Sequence, residues 1–159
     1  MNIVGYKCFN KGLISNYGDK FEIGKVYHES GNIKYNKCGF HMCTNLEDTL
    51  RYFDTFNNEV DIADVIGYGT INESFDDYNE FYNMYAVEYL IIRHILTHQE
   101  IIDYAINLPP MRLKRFLSLY KLTKEDLLMF REMFNKEEII MQTLDYYQDE
   151  NSKLYLKRK

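Results

Sequence analysis

The chain has 159 residues with a formal net charge of −5, room for one domain or one domain with a helical appendage, but not for three. Fifteen tyrosines and ten phenylalanines with no tryptophan make ring packing the main source of core area, and leave many hydroxyls needing partners. No apolar run is long enough to cross a bilayer, residues 1–7 lack the regions of a secretion signal, and three cysteines are too few for a disulfide framework, so no membrane partner is expected and the expected location is the cytoplasm.

In chain order, residues 3–9 are short and apolar, 21–27 begin with strict alternation, and 32–35 and 39–43 are brief runs bounded by Gly or Asn; all four read as strands. A helix is expected over 45–54, where Thr44 with Glu47 has the capping-box pattern and Leu46, Leu50 and Phe53 form one apolar stripe. Phe40, Cys43, Leu50 and Phe53 are the expected core of this junction. Residues 59–66 alternate acidic and apolar side chains, and 85–92 are β-branched and aromatic, which gives two more strands. The cap pattern recurs at Thr97 with Glu100, Thr123 with Asp126 and Asn135 with Glu138. It predicts helices over 97–107, ended by Pro109-Pro110, and over 124–134 and 136–148, with another over 111–121. The fold class is α+β: a small, mainly antiparallel sheet with flanking helices over 1–107, then a helical C-terminal subdomain over 108–159.

Charge follows the same division. Residues 1–107 hold 16 acidic and 8 basic side chains, and 108–159 hold 8 acidic and 11 basic. Nucleic acid is therefore disfavoured as a partner of 1–107 and has an opening only in 108–159. There Arg112, Lys114, Arg115 and Phe116 make a basic, aromatic-containing helix face followed by a turn and a second helix. That is the outline of a helix-turn-helix and equally of a hairpin that docks on protein. These four are the candidate binding residues, and Lys157-Arg158-Lys159 reads as a solubilising tail.

Cys38-x-x-His41-x-Cys43, with Cys8 and His28, offers soft metal ligands. In an extended strand His41 and Cys43 share a face while Cys38 takes the other parity, so no metal is expected and burial is the ordinary reading of the thiols. Catalysis by Cys38 or Cys43 with His41 would need a third group and an oxyanion site that nothing local supplies. His94 and His98 stand at a strand end and a first helical turn, where they could titrate near neutral pH. Asp61, Asp64, Asp76 and Asp77 lack the spacing of a calcium loop and read as a solvated acidic face.

The order Gly5-Tyr6-Lys7-Cys8-Phe9, Ile23-Gly24-Lys25-Val26-Tyr27, Cys38-Gly39-Phe40-His41-Met42-Cys43, Leu46-Glu47-Asp48 and Ile91-Ile92-Arg93-His94 resembles a family of small phage and prophage proteins carried as a domain of unknown function, over residues 3–105. That resemblance implies a mobile-element origin. The step Gly39-Phe40-His41-x-Cys43-Thr44 into a helix is distantly similar to ADP-ribosyltransferase domains, which would make Tyr6, His41 and Glu88 the catalytic candidates and NAD the cofactor. The Glu-x-Glu pair and the first-strand Arg or His of that class are absent. The expected function is a non-enzymatic phage or prophage-type binding protein acting on a host or phage macromolecule, a protein foremost, with counter-defence as a setting and no cofactor. The alternative is an ADP-ribosyltransferase-like, NAD-using enzyme.

Overall fold

The computed structural model describes residues 1–34, 37–74 and 83–149. Strands β1 (Ile3–Asn10), β2 (Val26–His28), β3 (Phe40–Cys43), β4 (Val60–Ser74) and β5 (Met84–Ile95) form one sheet in the order β2-β5-β3-β1-β4, and β4 also pairs with β5. This extra pairing closes β5, β3, β1 and β4 into a small barrel-like ring, and every strand pair is antiparallel. Closure is possible because β4 and β5, 15 and 12 residues long, change neighbours along their length. Val60 to Gly67 of β4 pair with β1, while Ala63 to Ser74 pair with β5 across two register shifts that bend the strands. The fold is the expected α+β arrangement, with the helices toward the C-terminus.

The chain forms two compact units: residues 1–52 with 59–96, and residues 53–58 with the chain from Thr97 on. In the sheet unit the core gathers Phe9, Leu13, Phe21, Met42, Ala63, Val65, Val87, Leu90 and Ile92. Phe21 is its hub, with ring centroids 5.3 Å from Phe9, 4.6 Å from Tyr27 and 6.1 Å from Phe40. Cys43 and Leu50 are enclosed, and Phe40 lies partly buried against this cluster. The strand expected over 21–27 is reduced to β2, because Gly24 at φ 80° turns the chain out of the extended region and leaves Ile23 only an isolated bridge to Ile92. Of 32–35, Lys34 makes one bridge to Cys38; Tyr35, Asp76, Asp77 and the tail at 157–159 lie outside the described residues.

The helix expected over 45–54 is a single turn, α1 (Leu46–Thr49), followed by a 3₁₀ turn at Leu50–Tyr52. Its N-cap is Asn45, not Thr44, and makes no side-chain cap bond. Glu47, which would have completed the box, is fully buried instead of reaching back over the surface.

The second unit holds α2 (His98–Ile106), α3 (Pro110–Leu119), α4 (Lys124–Met133) and α5 (Glu138–Tyr147). Reciprocal capping boxes form at Thr97 with Glu100 and at Thr123 with Asp126. The box expected at Asn135 does not form: α5 starts at Glu138, two residues later than expected, with Glu137 as N-cap. Ile101, Ile102 and Ala105 of α2, with Leu113, Phe116, Leu117, Phe130, Ile140 and Leu144, are among the unit's buried side chains. Two polar residues stitch the connections. Gln148 donates from Nε2 to the carbonyls of Leu117 (2.6 Å) and Tyr120 (2.7 Å) and accepts from the Leu122 N–H (3.0 Å). Thr55 donates to the Leu119 carbonyl at 2.7 Å and accepts from the Lys121 N–H at 3.1 Å.

Candidate functional site

The strand-to-helix junction that carries the cysteines is a low-dielectric setting. Lys7 donates from Nζ to the His41 carbonyl at 2.7 Å and lies 5.5 Å from the Phe9 ring centroid. Burial pulls its pKa down to about 8, against the raising influence of Cys43, Cys8 and Glu29. Burial also pushes the Cys43 thiol up to about 12, with Asp48 adding to the rise, and raises Cys8 further still. His41 is shifted down, first by burial and then by the Lys7 cation, so its ring is neutral at pH 7. Raised thiol pKa values and a lowered imidazole pKa disfavour the thiolate and the imidazolium alike at this junction. Cys38 is engaged elsewhere, its Sγ 3.5 Å from the Ser30 carbonyl, and among the described residues no three His, Cys, Asp or Glu side chains gather as metal ligands.

Tyr6, His41 and Glu88 sit on three strands. Tyr6 lies opposite Cys43 on β3 and Asp64 on β4, while His41 lies opposite Ala86, two residues before Glu88 on β5. The Glu88 carboxylate turns toward β2 and β4: Oε2 accepts from the Thr70 N–H at 2.9 Å, and Oε1 lies 3.3 Å from His28 Nε2. Its pKa is lowered first by the Thr70 N–H, against the opposing effect of desolvation, and then by the Thr70 side chain and by His28. The acidic residues 61 and 64 also do structural service. Asp61 accepts from the N–H groups of Gly12 and Leu13 at 2.7 and 3.1 Å, the latter held at φ 57°, and Asp64 pairs with Arg93 at 2.6 Å.

Around Glu88 the outer surface carries a feature that motif reading missed. His28, Tyr89 and Tyr68 are register partners on β2, β5 and β4, and their rings form a ladder. His28 and Tyr89 stack at 4.4 Å and 16°, and Tyr89 and Tyr68 at 4.8 Å and 8°. The register shift between Tyr68 and Ile71 puts Gly69 and Thr70 opposite Glu88. Gly69, at φ 82°, leaves room for both neighbours: a Cβ there would lie 2.7 Å from Glu88 Oε2 and 2.7 Å from Tyr89 Cδ2. His28 is exposed and both tyrosines are half-buried, so the ladder presents its edge to solvent. The only advance signal was the Gly67-Tyr68-Gly69 spacing inside a strand, which marks a bulge.

In the helical unit, Arg112 donates to the Tyr104 hydroxyl at 2.7 Å, Lys114 is exposed, Arg115 is half-buried, and Phe116 is fully enclosed with its ring 5.1 Å from Tyr120. His94, the penultimate residue of β5, lies opposite Asp64, whereas His98 opens α2 in the other unit.

The sequence profile of a domain of unknown function, DUF7666, matches residues 3–80, just under half of the 159 residues. The match covers β1 to β4, stops short of the expected residue 105, and speaks neither to phage origin nor to ADP-ribosyltransferase likeness. Neither the search of curated proteins nor the search of solved structures returned a match. Among the described residues no helix is long and apolar enough to cross a membrane.

Proposed function

We propose that the sheet unit is a non-enzymatic binding module that grips a protein partner through the ladder of His28, Tyr89 and Tyr68. The observation that carries this reading is the ladder itself, three stacked rings at a solvent-facing edge with an ionised Glu88 beside them. Tyrosine-type rings supply large, rigid, amphipathic contact area and dominate the energetics of many protein interfaces. Cross-strand ring pairs also stabilise a sheet by about 0.2–1 kcal/mol each, a contribution that does not require the edge to face solvent. With 13 acidic and 8 basic residues in 1–52 and 59–96, the unit favours protein over nucleic acid.

No cofactor enters this reading. The protonated thiols and neutral His41 support a non-enzymatic role, and the NAD-using alternative would require Glu88 to leave Thr70 and His28. Three unpaired thiols favour the cytoplasm as the setting. A phage or prophage origin with a part in counter-defence rests on the motif order between Gly5 and His94.

Capture from the lysate of the encoding cell tests the proposal, with wild type, Tyr68→Ser/Tyr89→Ser and Lys114→Glu as baits and mass spectrometry as readout. A protein retained by wild type and Lys114→Glu but lost with the double variant is the expected result. Loss with Lys114→Glu alone would move the binding face to α3 and end the ladder reading.

A further inference from the structure

In the helical unit, His98 is the first residue of α2, Tyr120 caps the C-terminus of α3, and Asp126 is the third residue of α4. The capping boxes at Thr97 and Thr123 fix where α2 and α4 begin, and so fix where His98 and Asp126 stand. Their side chains converge: His98 Nε2 is 2.5 Å from Asp126 Oδ2, and His98 Nδ1 is 3.1 Å from the Tyr120 hydroxyl. An ionised carboxylate only accepts, so Nε2 carries the hydrogen and donates to Asp126. Nδ1 then holds a lone pair, and the Tyr120 O–H donates to it. A hydroxyl, a base bonded to it and a carboxylate that orients the base reproduce the logic of nucleophilic triads. The His98 side chain is 43% exposed and that of Asp126 15%, so a reagent can reach the base while the positioning group stays largely covered.

We infer that Tyr120 is an activated nucleophile for small acyl donors, with His98 as its base and Asp126 as the positioning residue. In the step, the phenolic oxygen attacks the acyl carbonyl and its proton passes to His98 Nδ1. The bond from acyl carbon to leaving group breaks with its electron pair going to the leaving group, which takes the proton back from His98. The products are O-acyl-Tyr120 and the free leaving group, and no oxidant or metal is required. This inference concerns the helical unit and goes beyond the ladder reading.

N-Acetylimidazole, applied to the full chain at neutral pH with each tyrosine followed by peptide mass spectrometry, tests it. Tyr17, 95% exposed, is the internal reference. Tyr120 should be acetylated about tenfold faster or more, though it is the less exposed residue, since a positioned base accelerates such steps by at least that factor. In His98→Gln and Asp126→Asn the advantage should fall about fivefold or more while the melting midpoint, which a purely structural contact would control, is tracked in parallel. Tyr120 reacting no faster than Tyr17, or an advantage that survives His98→Gln, overturns the proposal; the wild-type ratio decides the matter if a variant fails to fold.

Discussion

Lys7, half-buried with its ammonium against the His41 carbonyl, shows how one group leaves a signature on the whole protein. Its folded pKa, about 8, lies below the ordinary 10.5, so the folded state disfavours the ammonium and the unfolded chain holds more protons between those values. Stability should therefore rise with pH from about 8, its cost being fully present below that. Cys8 and Cys43 act oppositely: their raised values mean that unfolded thiols ionise first, and stability falls above about 9. Two thiols outweigh one amine, so urea melts should give a shallow maximum near pH 9, and in Lys7→Met the rise from 8 to 9 should vanish while the alkaline fall remains. A rise that persists in Lys7→Met would place its origin elsewhere. Gln148 offers a second residue-scale outcome. Only 6% exposed, it pairs two carbonyls and one N–H, and Gln148→Leu would strand all three. At about 1–3 kcal/mol for each unsatisfied group, a melting penalty of about 3 kcal/mol or more is expected. A loss under about 1 kcal/mol would mean that water replaces the amide.

At the scale of elements, what could be read in advance is what depends on neighbours in sequence. The caps at Thr97 and Thr123 use a partner three residues away, and both boxes formed. The same pattern at Thr44 failed because Glu47 is buried, a fact set by tertiary packing. Strand identity follows from a short apolar run for β1, a brief run bounded by Gly or Asn for β3, alternation for β4 and β-branched and aromatic residues for β5, but barrel closure does not, since the β4–β5 pairing depends on strand length and bulges that the pattern conceals. The candidate site divides in the same way. Tyr6, His41 and Glu88 are candidates only through the resemblance to ADP-ribosyltransferase domains; their side-chain engagements depend on register, and the ladder around Glu88 joins residues 28, 68 and 89, far apart in the chain. Gln148 had no local signature at all; its partners are 26 to 31 residues away.

At the scale of the molecule, the two units differ in charge more subtly than a cut at residue 107 implies. Residues 53–58 and 97–159 together hold 11 acidic and 11 basic side chains, so the basic surplus of 108–159 is balanced once α2 and the 53–58 segment are counted with their unit. The sheet unit keeps the net acidity, and the ladder lies on it, where we propose that a protein partner binds. Hydroxyl-radical footprinting of the protein alone and in complex with its captured partner tests that claim most directly. The account predicts that Tyr68, Tyr89 and His28 become protected about fivefold or more, as fully desolvated interface residues are, while Tyr17 is unchanged. Equal labelling of Tyr68 and Tyr89 in the free and bound protein would contradict it.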